Sequence, residues 1–203
     1  MFSIKRCTPR PEKKPDAFLE SVDETGIGGI LTGEEIIHQV ECGNISISSF
    51  SKDQVNPNSY NVHSGDRVTV YDAPMVFDLK DPKSYEKTIT FGIDSLSGFV
   101  LRPGQLYLIP TQEVIGSKNY IPMITGRSSI GRLGITVHQE AGFGDIGFNG
   151  VWTMQVRVTY PTKIYPNQLI AQVYFLVPCG DIGIKYSGRY QNTMTATASR
   201  WRD

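Results

Sequence analysis

The sequence lacks a surplus of either charge: 20 lysines and arginines stand against 20 aspartates and glutamates. A neutral chain sets up no field to gather a polyanion, so a nucleic-acid coat is excluded. A few local arginines still suffice to hold a small anion. Cysteine is scarce too, with Cys7, Cys42 and Cys179 in no recognisable spacing. That set suggests neither a disulfide framework nor a zinc site, and it fits a reducing, cytoplasmic setting. No apolar run approaches the roughly 18 residues that a membrane helix needs. The first residues mix charge with proline and hold no apolar signal core. His38, His63 and His138 have no partners at metal-ligand spacing, so no protein-borne metal site is expected. Also missing are a phosphate-loop lysine motif and the strand–helix alternation of dinucleotide-binding folds. Any phosphate binding must come from another architecture.

What the chain does contain is one clear helix and many short β runs. Residues 1–29, with Lys13, Lys14, three prolines and a glycine-rich end, read as a flexible N-terminal extension. Docking of that arm on a neighbouring subunit is the alternative. Thr32 then offers an N-cap, Glu35 completes a capping-box pattern, and Ile36, Ile37 and Val40 share a face. With Gly43 as the stop, the spacing predicts a helix over 33–42. From about residue 45 the pattern turns to strands, at 67–71, 105–109, 151–158 and 169–177, punctuated by Gly, Pro and Asn. A mainly β domain over 30–203, sandwich or barrel, is expected.

The most informative stretch is 126–134, GRSSIGRLG. Arginine presents a planar fork of donors suited to phosphate oxygens, and serine hydroxyls add to it. Flanking glycines let backbone amides approach an anion. The competing reading is a polar turn with solvated arginines.

That motif resembles the phosphate-binding motif of the dCTP deaminases and their dUTPase relatives. Four further segments agree in order: Leu31-Thr32-Gly33, 55–62 (VNPNSYNV), 101–104 (LRPG) and 141–150 (AGFGDIGFNG). The ending ATASR at 196–200 resembles the family's closing tail, which would start near residue 185. The resemblance implies a dUTPase-type distorted β-barrel or jelly-roll-like subunit with one N-terminal helix. It also implies a homotrimer with sites at subunit interfaces, and Mg²⁺ carried by the triphosphate. By the same resemblance Arg127, Ser128 and Ser129 contact phosphates, with Arg132 in support. His138, Gln139, Glu140 and Ala141 run past the pyrimidine edge. Asp145 binds the sugar 3′-hydroxyl and positions a water, Phe148 packs under the sugar, and Arg189 and Tyr190 lie on the tail.

One departure bears on the chemistry. The deaminases carry a glutamate ten residues after the aspartate; here the position is Gln155. Replacing the amino group on C4 needs a proton shuttle, which an amide cannot be, so deamination loses a factor of about 10²–10⁴. Hydrolysis of dUTP to dUMP and pyrophosphate needs only the water, Asp145 and Mg²⁺. It is therefore the expected reaction. The alternatives are a dCTP deaminase, natural or inactivated at Gln155, and a deoxynucleotide-binding regulator without turnover. Glu140, beside the base stretch, is a candidate replacement carboxylate. Smaller departures are Asn61, Phe143 and Thr193. His138 is more often a satisfied structural histidine than a catalyst at such a place. Trp152 and Met154 alternate along a strand and belong to a core or an interface.

Overall fold

A computed structural model describes residues 29–72 and 76–201. The expected N-terminal arm lies, apart from Gly29, outside the described residues. The helix forms as α1 (Gly33–Glu41), with Cys42 as its C-cap. Thr32 Oγ1 accepts from the Glu35 backbone N–H at 3.3 Å. Only half of the capping box is made, because the Glu35 carboxylate turns along the helix to Gln39 Nε2 at 2.6 Å. Gly43 ends the helix at φ +70°, where a side chain would strain the backbone. Cys42 is disulfide-bonded, which corrects the expectation of an unbridged set. Bridges depend on proximity in space, which Cys spacing alone does not give. Cys7 lies outside the described residues and Cys179 is exposed.

Twelve strands follow: β1 (Ile45–Ile47), β2 (Val55–Asn56), β3 (Ser59–His63), β4 (Arg67–Tyr71), β5 (Thr88–Gly92), β6 (Phe99–Leu101), β7 (Tyr107–Ser117), β8 (Ile121–Gly126), β9 (Ile135–Val137), β10 (Asn149–Val158), β11 (Thr162–Ile164) and β12 (Leu169–Leu176). Short helices α2 (Lys83–Glu86) and α3 (Ser128–Gly131) interrupt them. One sheet runs β5-β4-β7-β10-β9 with β1 also on β7, a second β2-β3-β12-β8, and a third pairs β11 with β6. Every pairing is antiparallel. The fold is thus mainly β and jelly-roll-like, as expected, with sheets that face one another and do not close into a barrel. Tyr60, Val62, Ile109, Met154, Val173 and Phe175 fill the space between the sheets and are essentially inaccessible.

Strand β4 matches its predicted span, and β10 and β12 match theirs to within two residues. The predicted 105–109 run begins two residues late and continues to Ser117 through Pro110. That proline is tolerated because the β7–β10 register shifts there, between Val151↔Val114 and Thr153↔Pro110. A second tie joins the sheets: buried Glu113 of β7 accepts from the His63 backbone N–H and lies 2.5 Å from His63 Nδ1.

Candidate functional site

Strand β10 is the wall of the site. Its alternation sends Met154 and Val156 into the core and leaves Thr153 and Gln155 on the outer face. That outer face lines a cavity of about 500 Å³. The loop between β9 and β10 supplies the floor, with His138, Ala141, Asp145 and Phe148. The C-terminal segment crosses the top and contributes Tyr186, Tyr190, Thr197 and Ser199.

The floor loop carries two left-handed non-glycine residues, His138 at φ +55° and Ala141 at φ +59°. Each such residue costs about 1–2 kcal/mol, so something must hold it. His138 is the staple. Its backbone N–H donates to Gln155 O at 2.8 Å. Its Nδ1 accepts from the Gln155 N–H at 3.3 Å, and its Nε2 lies 2.8 Å from Ala141 O. With Nδ1 accepting, the proton sits on Nε2 and the ring is neutral. Burial pushes the His138 pKa below 6.5, partly opposed by the Ala141 carbonyl and the Glu140 charge. Both ring nitrogens are committed, so the histidine is structural here.

Aromatic rings shape the rest. Phe148 meets Trp152 edge-on at 5.5 Å and Tyr186 at 5.8 Å. Gly144 is buried against Trp152, and a Cβ there would lie 2.7 Å from Trp152 Cζ2. Trp152 and Met154 both join the core cluster, and Trp152 also reaches the cavity.

The side chains of Asp145 and Gln155 have no hydrogen-bond partner among the described residues, and both face the cavity. Six of the thirteen expected site residues therefore share it: His138, Ala141, Asp145, Phe148, Gln155 and Tyr190. Gln139 and Glu140 do not line it, and both are exposed. The left-handed turns at His138 and Ala141 leave them off the cavity wall of the single chain. Arg189 lies on the tail but is occupied, with Nη1 donating to Arg200 O.

Arg127, Ser128, Ser129 and Arg132 also lie off the cavity. They form α3 and its caps. Arg127 is anchored to β12, its backbone N–H on Ile170 O at 3.3 Å and Nη1 on Leu169 O at 3.1 Å. Ser128 and Ser129 are exposed, and first-turn helix N–H groups have no intrahelical acceptor. Sequence reasoning missed Thr153, Tyr71 and Tyr186. Thr153 was recoverable from its alternation with Gln155; Tyr71, at the end of a distant strand, carried no signal.

The description "dCTP deaminase-like" belongs to the family that matches residues 30–176. A "dCTP deaminase, dUMP-forming" of Clostridium beijerinckii is 42% identical over 163 residues, 80% of this chain and 91% of the relative. One of Leptospira biflexa is 41% identical over 162 residues, 80% of this chain and 90% of the relative. Among solved structures, 2′-deoxycytidine 5′-triphosphate deaminase from Agrobacterium tumefaciens has a TM-score of 0.59 at 19% identity, a likeness of fold. It covers 74% of this chain, which spans about half (48%) of that longer chain.

Proposed function

The chain belongs to the dCTP deaminase-like family, and from that premise we propose that it takes dCTP to dUMP in the cavity beneath its C-terminal segment. The observation that carries this reading is the convergence of Asp145, Gln155 and Tyr190 on one cavity. The similarity to dUMP-forming dCTP deaminases favours dCTP as the starting nucleotide. Two waters are consumed. One adds at C4 of the base and ammonia leaves; the other attacks the α-phosphorus and pyrophosphate leaves. Among the cavity-lining residues Asp145 is the one carboxylate, so in this reading it positions the water and accepts its proton. Gln155 meets the base edge with an amide that both donates and accepts. Phe148 packs under the sugar.

Mg²⁺ would arrive on the triphosphate, where it neutralises phosphate charge, and the Asp145 carboxylate is a fitting oxygen donor toward it. The phosphate groups themselves call for cations that the cavity of one chain does not contribute. Arg127 supplies one, and Ser128 and Ser129 add hydroxyl donors, if a second copy brings its α3 to the cavity mouth. A homotrimer with shared sites is the assembly we favour.

Gln155 supports a second reading, in which only dUTP is hydrolysed. An amide has no useful pKa and cannot return a proton to leaving ammonia. Ion-exchange product analysis with Mg²⁺ and either dCTP or dUTP separates the two. Ammonia and dUMP from dCTP support the first reading. Product from dUTP alone supports the second. Binding of either nucleotide without turnover sinks both and leaves a regulator.

A further inference from the structure

The C-terminal segment is strapped to the cavity wall by main-chain bonds and held at its far end by something else. Along the wall, Tyr186 N–H donates to Ile146 O at 2.7 Å and Val151 N–H to Thr193 O at 2.8 Å. The Thr197 N–H reaches Thr153 Oγ1 at 2.9 Å. Arg189 and Arg200 then exchange guanidinium–carbonyl bonds, which closes the strap into a loop. Arg200 also lies 5.7 Å over the Tyr190 ring.

The end of that loop is pinned at the cavity rim and then beyond it. Ser199 N–H donates to the Tyr71 hydroxyl at 2.9 Å. Tyr85 of α2 donates its hydroxyl to Trp201 O at 3.2 Å. Tyr71, Phe77 and Tyr85 form a run of edge-to-face rings, with centroids 5.3 and 6.5 Å apart. Tyr85 is buried and does not line the cavity. The strap itself is thinly packed, with Met194 largely and Trp201 nearly half in solvent. A segment with few buried apolar contacts opens easily, so individual hydrogen bonds set how often it does.

We propose that the Tyr71–Phe77–Tyr85 run is a docking post that keeps the strap closed. Opening of the cavity is then governed from α2, outside the cavity. Because the strap supplies the cavity's upper wall, a nucleotide enters and its product leaves when the strap lifts. That gating role rests on the nucleotide reading of the cavity; the docking itself does not. Tyr85 acts as a positioning residue.

Tyr85→Phe keeps the ring and removes the donor. Trypsin cuts after Lys185, Arg189 and Arg200, all in the strap. Without nucleotide, and at low protease so that cleavage tracks the open population, the variant should be cut there about fivefold faster, the shift that one net hydrogen bond sets. A chain ending at Arg200, which lacks the acceptor, should be cut after Lys185 and Arg189 at the same raised rate. Parent-like cutting of both variants overturns the proposal. Dissociation of a non-hydrolysable dUTP analogue should also quicken about fivefold in Tyr85→Phe. Faster cutting with unchanged dissociation overturns the gating. Faster cutting of a chain that binds neither dCTP nor dUTP supports the post and removes the nucleotide reading instead.

Discussion

The Gln155 backbone N–H donates to His138 Nδ1 at 3.3 Å, so the histidine beneath the cavity is held neutral by the strand that forms its wall. A second bond, from Nε2 to Ala141 O at 2.8 Å, fixes the tautomer. Protonation would place a hydrogen where the Gln155 N–H already points.

A pH dependence follows with a definite sign. The folded pKa of His138 lies below 6.5, chiefly through burial. The unfolded chain therefore binds the proton first as pH falls. Its contribution to stability is full above pH 6.5 and is lost as pH drops toward the folded pKa. Thermal melting should show Tm declining below pH 6.5, before most carboxylates titrate. The His138→Asn variant should show a flatter slope in that window, and an identical slope would remove the assignment.

Gln155→Glu restores a titratable group to the outer face of β10. If the missing shuttle limits deamination, ammonia release from dCTP should rise by about 10²–10⁴. Cleavage of dUTP should change far less. An ammonia assay run beside pyrophosphate detection reads both steps.

The proposal that copies share their sites is tested by mixing variants. Arg127→Ala and Asp145→Asn chains should each be inactive alone. Unfolded together and refolded as mixed assemblies, they should recover part of the parent turnover, because some sites then combine an intact α3 with an intact cavity. No recovery would mean that one copy builds its own site.

Gly144→Ala tests how tightly the floor is packed. The added methyl meets Trp152 Cζ2 at 2.7 Å and Pro122 Cγ at 3.0 Å. Overpacking of this kind costs about 1–3 kcal/mol, or roughly 2–12 °C in Tm for a chain of this size. Calorimetry against the parent measures it.

Glu113→Ala should be felt between the sheets. It leaves the His63 N–H without its acceptor, a loss of about 1–3 kcal/mol in urea unfolding. The Glu113→Gln variant keeps an acceptor and should lose less.

Legibility in the sequence followed the range of the physics. Helix α1 was readable because its cap, apolar face and stop lie within a dozen residues of one another. Strands β4, β10 and β12 were readable because alternating or continuous apolar runs are local. The meeting of Asp145, Phe148 and Gln155 at one cavity was readable because they sit on one loop and the strand it feeds. That Gln139 and Glu140 lie off the cavity wall was not readable, because the left-handed residues beside them turn the chain and nothing in the composition requires a positive φ at His138 or Ala141. The separation of α3 from the cavity was not readable, since a motif gives chemistry and not position. The Tyr71–Ser199 and Tyr85–Trp201 contacts span more than a hundred residues, beyond any periodicity.

The docking of Trp201 on α2 has a practical side for anyone handling the protein. An affinity handle fused after Asp203 would begin three residues past the Trp201 carbonyl that Tyr85 holds. Its bulk would pull at the clasp, and preparations carrying it would have a looser strap while looking well folded. Comparisons of strap opening should use material with nothing fused after Asp203.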